Sequence, residues 1–157
     1  VSILNTIFSK FDDLSTNHNI EKIKTIGDNY FAVSGLESNP KKAAIDLIKM
    51  AKDMILVIKS INKNLNNMNV ALRIGVHTGP IVAGVIGKNK FAYDLWGAAV
   101  NKASRMESTG IKNKIQISSE TFDLIKEKVN VLQEREVDIK GIGITKTYII
   151  WLNSYYT

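Results

Sequence analysis

Apolar side chains recur at Ala44, Leu47, Ile48, Ala51, Ile55, Ile58 and Ile61, in steps of three and four residues. This spacing predicts one long helix, opened by Ser38-Asn-Pro-Lys and running to about Asn66, with a single apolar face. A helix of that length cannot leave its stripe in water, so the rest of the chain must supply a layer to cover it.

Period-two segments supply that layer. Ile20–Ile26 and Asn29–Gly35 read as two strands joined by a tight turn around Gly27-Asp28. Val70, Leu72, Ile74 and Val76 alternate cleanly up to Thr78, where Gly79-Pro80 interrupts, and Ile81–Ile86 reads as a second buried strand. The expectation is a hairpin between those two. Lys114–Ser118, Val131–Ile139 and Lys146–Leu152 are further strands. Helices are expected over Val1 to about His18, over about Ala98–Thr109 with its end at Gly110, and from a Ser119 cap to about Lys128. Neither repeats nor linkers interrupt the alternation, so residues 1–157 read as a single α/β or α+β domain.

The chain has 157 residues, enough for one domain with a true core, and 45% apolar residues, which is a soluble composition. It has no cysteine, which excludes disulfides, thiolate metal sites and cysteine nucleophiles, and fits a cytoplasmic setting. No segment reads as membrane-spanning or secretory. The net charge of +6 could suit a polyanionic partner, yet the lysines are dispersed and show no arginine stripe or aromatic interleaving, so nucleic acid is not the expected partner.

Chemistry concentrates in Phe91–Ser108. Asp94 precedes a helix start, and Asn101 and Arg105 lie four residues apart on that helix. Such a spacing puts both on one face, about 5–6 Å apart at Cβ. A neutral hydrogen-bonding group beside a fixed cation suits a nucleotide. Asp28, at a hairpin tip, is either an ordinary turn residue or a ligand for a hard cation. Lys24 leads into that turn, and Lys140 stands in Ile139-Lys-Gly-Ile-Gly. Gly84-Val-Ile-Gly-Lys88 is no phosphate loop, because residue 82 is Val and residue 89 is Asn. His77 reads as structural or solvent-facing, since no second ligand is spaced to make a metal pair, and His18 carries no assigned role.

Three blocks stand in a family order: Glu21-Lys-Ile-Lys-Thr-Ile-Gly-Asp-Asn-Tyr, Arg73-Ile-Gly-Val-His-Thr-Gly-Pro-Ile-Val-Ala-Gly-Val-Ile-Gly, and Tyr93-Asp-Leu-Trp-Gly-Ala-Ala-Val-Asn-Lys-Ala-Ser-Arg-Met-Glu-Ser. With Asp138-Ile-Lys-Gly they resemble the class III nucleotidyl cyclase catalytic domain, across essentially the whole chain. The resemblance implies an α+β fold with a ferredoxin-like βαββαβ core and additional elements. It implies conversion of a nucleoside triphosphate to a 3′,5′-cyclic monophosphate and pyrophosphate, at sites shared by a head-to-tail homodimer, with two Mg²⁺ or Mn²⁺ ions. By the same resemblance Asp28 is a metal ligand, Lys24 and Asp94 select the purine, Asn101 orients the ribose, Arg105 stabilises the α-phosphate, and Lys140 holds the terminal phosphates. Guanylyl cyclases resemble this site but carry Glu and usually Cys at the two purine positions, so Lys24 and Asp94 favour ATP and hence an adenylate cyclase.

The family's first metal aspartate precedes its first helix, on a strand, and residues 1–157 start in that helix. The domain is therefore expected to be N-terminally incomplete, with little activity of its own until the upstream strand is added. Sensor or membrane segments could lie outside this stretch. The alternative is a catalytically inactive cyclase-homology module serving regulation or dimerisation. Retention of Lys24, Asp28, Asp94, Asn101, Arg105 and Lys140 argues against it.

Overall fold

The computed structural model describes residues 2–36, 39–64 and 69–156. In chain order they form α1 (Ser2–Asn17), β1 (Glu21–Ile26), β2 (Asn29–Val33), α2 (Pro40–Asn64), β3 (Ile74–Val76), β4 (Val82–Ile86), β5 (Ala92–Trp96), α3 (Ala98–Ser108), β6 (Ile115–Ser118), α4 (Ser119–Ile125), β7 (Val129–Ile139) and β8 (Gly143–Leu152). A short 3₁₀ turn, Ser154–Tyr156, follows. Among these residues no helix is long and apolar enough to cross a membrane.

The α2 stripe behaves as its spacing demands. Asn39 caps the helix, its Oδ1 accepting from the Lys42 amide at 2.8 Å, and Pro40 takes the first helical position, where a missing N–H costs nothing. The expected start at Ser38 and end near Asn66 lie outside the described residues. One part of the stripe (Ala44, Ile48, Ala51, Ile55) packs on a core with Val76, Ile115, Ile117 and Ile150. Another (Met50, Met54, Ile58, Ile61) packs on Ile7 and Phe11 of α1.

Four strands form a mixed sheet in the order β3-β6-β8-β7, with β3 parallel to β6 and the other pairs antiparallel. Strand alternation gives this sheet two covered faces. Val76, Ile115, Ile117 and Ile150 look toward α2, while Gly75 and Gln116, paired neighbours, look toward α3. All four β6 residues are buried as a result.

The predicted β1–β2 hairpin is present, closed by Ile26 opposite Asn29. Gly27 has φ +58°, which glycine adopts without the penalty a Cβ brings. Tyr30 fastens this hairpin to α1. Its ring lies 5.6 Å from both Phe8 and Phe11, and its hydroxyl donates to Asp12 Oδ1 at 2.8 Å. Burial, reinforced by that carboxylate, pushes the phenol up to about 12.

One strand assignment is corrected. Ile81–Ile86 does not pair with Val70–Thr78. β3 covers Ile74–Val76 alone and joins β6, whereas β4 pairs with β5, the segment that leads into α3. β4 is not buried either: Val82 is 65% exposed and Val85 61%. Burial decides the pairing, because β3 gains two apolar neighbours in Ile115 and Ile117 that β4 cannot offer. The stretch before β3 is held by asparagine side chains in place of a ladder. Asn62 donates to Val70 O and accepts from Val70 N, and Asn113 accepts from Leu72 N. A smaller correction concerns α4, whose N-cap is Ser118 and not Ser119, with the helix ending at Ile125.

Candidate active site

A cleft of about 800 Å³ opens between the β1–β2 hairpin, β3 and α3. Its floor is apolar, with Ile3, Phe11 and Ile58, and its polar rim carries Lys24, Asp28, Asp94 and Asn101. Among the described residues β2 pairs only with β1 and β3 only with β6. Each keeps one unpaired edge, and residues of both strands line the cleft.

Lys24 reaches this rim because β1 is irregular. The register slips between Lys22 and Lys24, so Ile23 is an extra residue on that strand. In a regular strand the two lysines would share a face. The bulge breaks the alternation. Lys22 turns to Asp12 on α1, at 3.2 Å, whereas Lys24 reaches Asp94 on β5, at 2.7 Å.

Asp94 sits mid-strand opposite Gly84, where the Trp96 ring stands 3.3 Å from the position a Cβ would take. Its Oδ2 accepts from Lys24 Nζ and its Oδ1 from the Leu95 amide at 2.8 Å. The Lys24 hydrogen bond, helped by that amide, lowers the Asp94 carboxyl below its ordinary 3.8. A depressed native value stabilises the folded state above pH 3.8, and that contribution fades as pH falls through the native value. Asp94→Asn should therefore unfold at a lower temperature than wild type near pH 7, and the gap should narrow as pH falls below 3.8. A gap independent of pH would show that Lys24 does not recognise the charge of Asp94.

Gly97, at φ +128°, turns the chain from β5 into α3. Asn101 stands exposed one turn into the helix and Arg105 half-buried one turn further on. Among the described residues no hydrogen bond or ion pair engages the Arg105 guanidinium, while its carbonyl oxygen accepts from the Ser108 and Thr109 hydroxyls. α3 lies directly on β3. A Cβ built on Gly75 would fall 2.1 Å from the Glu107 amide nitrogen, and Arg73, immediately before β3, pairs with the Glu107 carboxylate.

The cleft thus brings together four of the six expected residues: Lys24, Asp28, Asp94 and Asn101. Arg105 and Lys140 are not among its lining. Lys140 is exposed in the turn between β7 and β8, flanked by Gly141 at φ +84°. Among the described residues no three His, Cys, Asp or Glu side chains cluster as a metal site. Asp28 could give one carboxylate to a magnesium-sized ion, which commonly takes one or two protein carboxylates and fills its shell with phosphate and water.

His77, expected to be structural or solvent-facing, is anchored by a side-chain hydrogen bond. It lines the cleft wall, with Nδ1 2.7 Å from Ser118 Oγ, and burial pushes the imidazole below its ordinary 6.5. His18, which carried no assigned role, pairs with Asp53 at 2.8 Å and joins the end of α1 to α2. Sequence reasoning also missed Gly75, Gln116 and Arg135. The one visible signal was a glutamine in the otherwise apolar run Ile115-Gln-Ile117.

Residues 1–152 match the family model described as "Adenylate and Guanylate cyclase catalytic domain". An adenylate cyclase of Mycobacterium tuberculosis is 39% identical over 150 residues, covering 96% of this chain and 34% of the relative. The chain thus spans about a third of that protein. The guanylate cyclase soluble subunit beta-2 of Rattus norvegicus is 35% identical over 154 residues, covering 98% of this chain and 23% of that protein. Among solved structures, the guanylate cyclase domain of RhGC from Catenaria anguillulae, in complex with GTP, superposes with a TM-score of 0.87. It is 33% identical, with 96% of this chain and 82% of that chain covered. The α+β fold with its mixed sheet is the class III cyclase fold, as the three sequence blocks implied. By sequence match along nearly its whole length and by fold, the chain belongs to the adenylate and guanylate cyclase catalytic domain family.

Proposed function

We propose that the domain is an adenylate cyclase, converting ATP to 3′,5′-cyclic AMP and pyrophosphate. The observation that supports this most is the pairing of Lys24 with Asp94 on the cleft rim. Adenine offers an acceptor at N1 and a donor at its exocyclic amine. Guanine presents the opposite polarity, with a donor at N1 and an acceptor at O6. An ammonium can only donate and a carboxylate can only accept, so the pair complements adenine. An entering adenine separates the two groups and replaces one ion pair with two charge-assisted bonds.

Asn101 hydrogen-bonds the ribose and presents its 3′-hydroxyl to the α-phosphorus. Arg105 balances charge that grows on the α-phosphate as the bond forms, a benefit larger in the transition state than in the ground state. Lys140 holds the leaving phosphates. Mg²⁺ or Mn²⁺, held in part by Asp28, would supply neutralisation of the triphosphate and acidify the 3′-hydroxyl.

Two copies are proposed to assemble head to tail, so that each site is completed by Asp28 of the partner subunit. The exposed apolar side chains of the β4–β5 ribbon, Val82, Val85 and Phe91 among them, support a surface covered in the working protein. The unpaired edges of β2 and β3 support a further strand in the cleft, carrying the second metal carboxylate.

The test is cyclic nucleotide formation from ATP and from GTP by the full-length chain with Mg²⁺ or Mn²⁺. Wild type should favour ATP, and Lys24→Glu with Asp94→Cys should move the preference toward GTP. A double variant that stays fully ATP-selective refutes the purine assignment. Nucleotide binding without turnover by the wild type would favour the regulatory module instead.

A further inference from the structure

Gln116 lies in the middle of β6 and is completely buried. Its amide nitrogen donates to the Met106 carbonyl at 2.8 Å and to Thr109 Oγ1 at 3.0 Å. Its carbonyl oxygen accepts from Arg135 on β7 at 2.6 Å and from Thr147 on β8 at 2.9 Å. Both donors and both acceptor positions of the amide are therefore used. The same Arg135 nitrogen donates to the Thr109 carbonyl at 2.9 Å. Thr109 in turn donates its hydroxyl to the Arg105 carbonyl at 2.6 Å and its amide to the same oxygen at 3.0 Å.

A buried amide and a half-buried guanidinium are an expensive way to fill a core, and an apolar side chain would do so without the desolvation penalty. What they do here is specific. The last carbonyls of a helix have no partner within it, and helix ends fray. Gln116, Arg135 and Thr109 capture the carbonyls of Met106, Thr109 and Arg105, in the last turn of α3 and at its C-cap. Gly75, beside Gln116 in the sheet, removes the side chain that would keep this turn away. None of these groups touches the Arg105 guanidinium, yet all fix the backbone from which it extends.

We infer that Gln116, Arg135 and Thr109 form a positioning network that sets Arg105 for catalysis. The inference rests on the proposed role of Arg105. Misplacing a catalytic group by about 1 Å can cost roughly 10²-fold in rate. A loosened last turn should lie part of the way toward that.

Thr109→Val removes the hydroxyl link while keeping size and backbone. In the full-length chain, with ATP and Mg²⁺ or Mn²⁺, it should lower kcat by about 10-fold with KM changed less than about twofold, since the loss concerns the transition state. Thr109→Ser should restore kcat. In an Arg105→Ala background, Thr109→Val should cost nothing further, the non-additivity expected of groups acting through one another. If Thr109→Val does not fold, Arg135→Lys, which keeps the charge but loses the fork, should show the same split between kcat and KM. Unchanged kcat in Thr109→Val, or an equal loss in both backgrounds, overturns the positioning role. Full activity of Arg105→Ala overturns the catalytic reading of Arg105 itself, a separate result.

Discussion

Gly75→Ala is expected to lower the thermal unfolding midpoint by roughly 6–12 °C, from a destabilisation of about 3 kcal/mol at about 2–4 °C per kcal/mol in a chain of this size. The added methyl would stand 2.1 Å from the Glu107 nitrogen, 2.5 Å from the Met106 carbonyl carbon and 2.7 Å from Glu107 Cα. All three are backbone atoms of α3, so no side chain can swing aside. Either the helix moves off β3, which strains the Met106 contact to Gln116, or β3 shifts against β6. Both outcomes displace Asn101 and Arg105, so activity should fall even at temperatures where the variant is folded. Gly79→Ala is a milder comparison, since its nearest new contact is the Ala99 side-chain methyl at 3.0 Å. Calorimetry of the two variants settles the matter: a Gly75→Ala midpoint within about 2 °C of wild type would mean that α3 is not held where the structure puts it.

Arg105→Ala is expected to lower kcat by about 10²–10³-fold with little change in KM, the range seen when one preorganised charge-stabilising donor is removed. The guanidinium has no competing partner among the described residues, so it need not break an ion pair to meet the developing charge. Arg105→Lys should recover only part of the loss, because a point charge lacks the fork that meets two phosphate oxygens at once. Steady-state rates with saturating ATP measure both variants. Comparable kcat for wild type and Arg105→Ala would remove Arg105 from the mechanism.

Much of the fold could be read from local pattern. The α2 stripe, the Gly27-Asp28 hairpin and the helix carrying Asn101 and Arg105 each follow from spacing and turn chemistry within a few residues. The strand over Ile81–Ile86 was legible too, but its expected burial and its pairing with Val70–Thr78 failed, for the same reason that the others succeeded. Val82, Val85 and Ile86 have the composition of a buried strand, and local pattern cannot tell that their ribbon stays largely uncovered. The site residues were legible through three sequence blocks, but their contacts were not.

Residue identities alone determined the element types, the family and the donor–acceptor polarity of Lys24 and Asp94. They do so because propensity, period and side-chain chemistry are local properties. Tertiary structure alone decided that Lys24 meets Asp94 across 70 positions of chain, that a bulge at Ile23 aims it there, and that Gly75 and Gln116 seat the last turn of α3. These depend on strand register and helix approach, which are set by how the whole core buries its apolar surface and satisfies its polar groups.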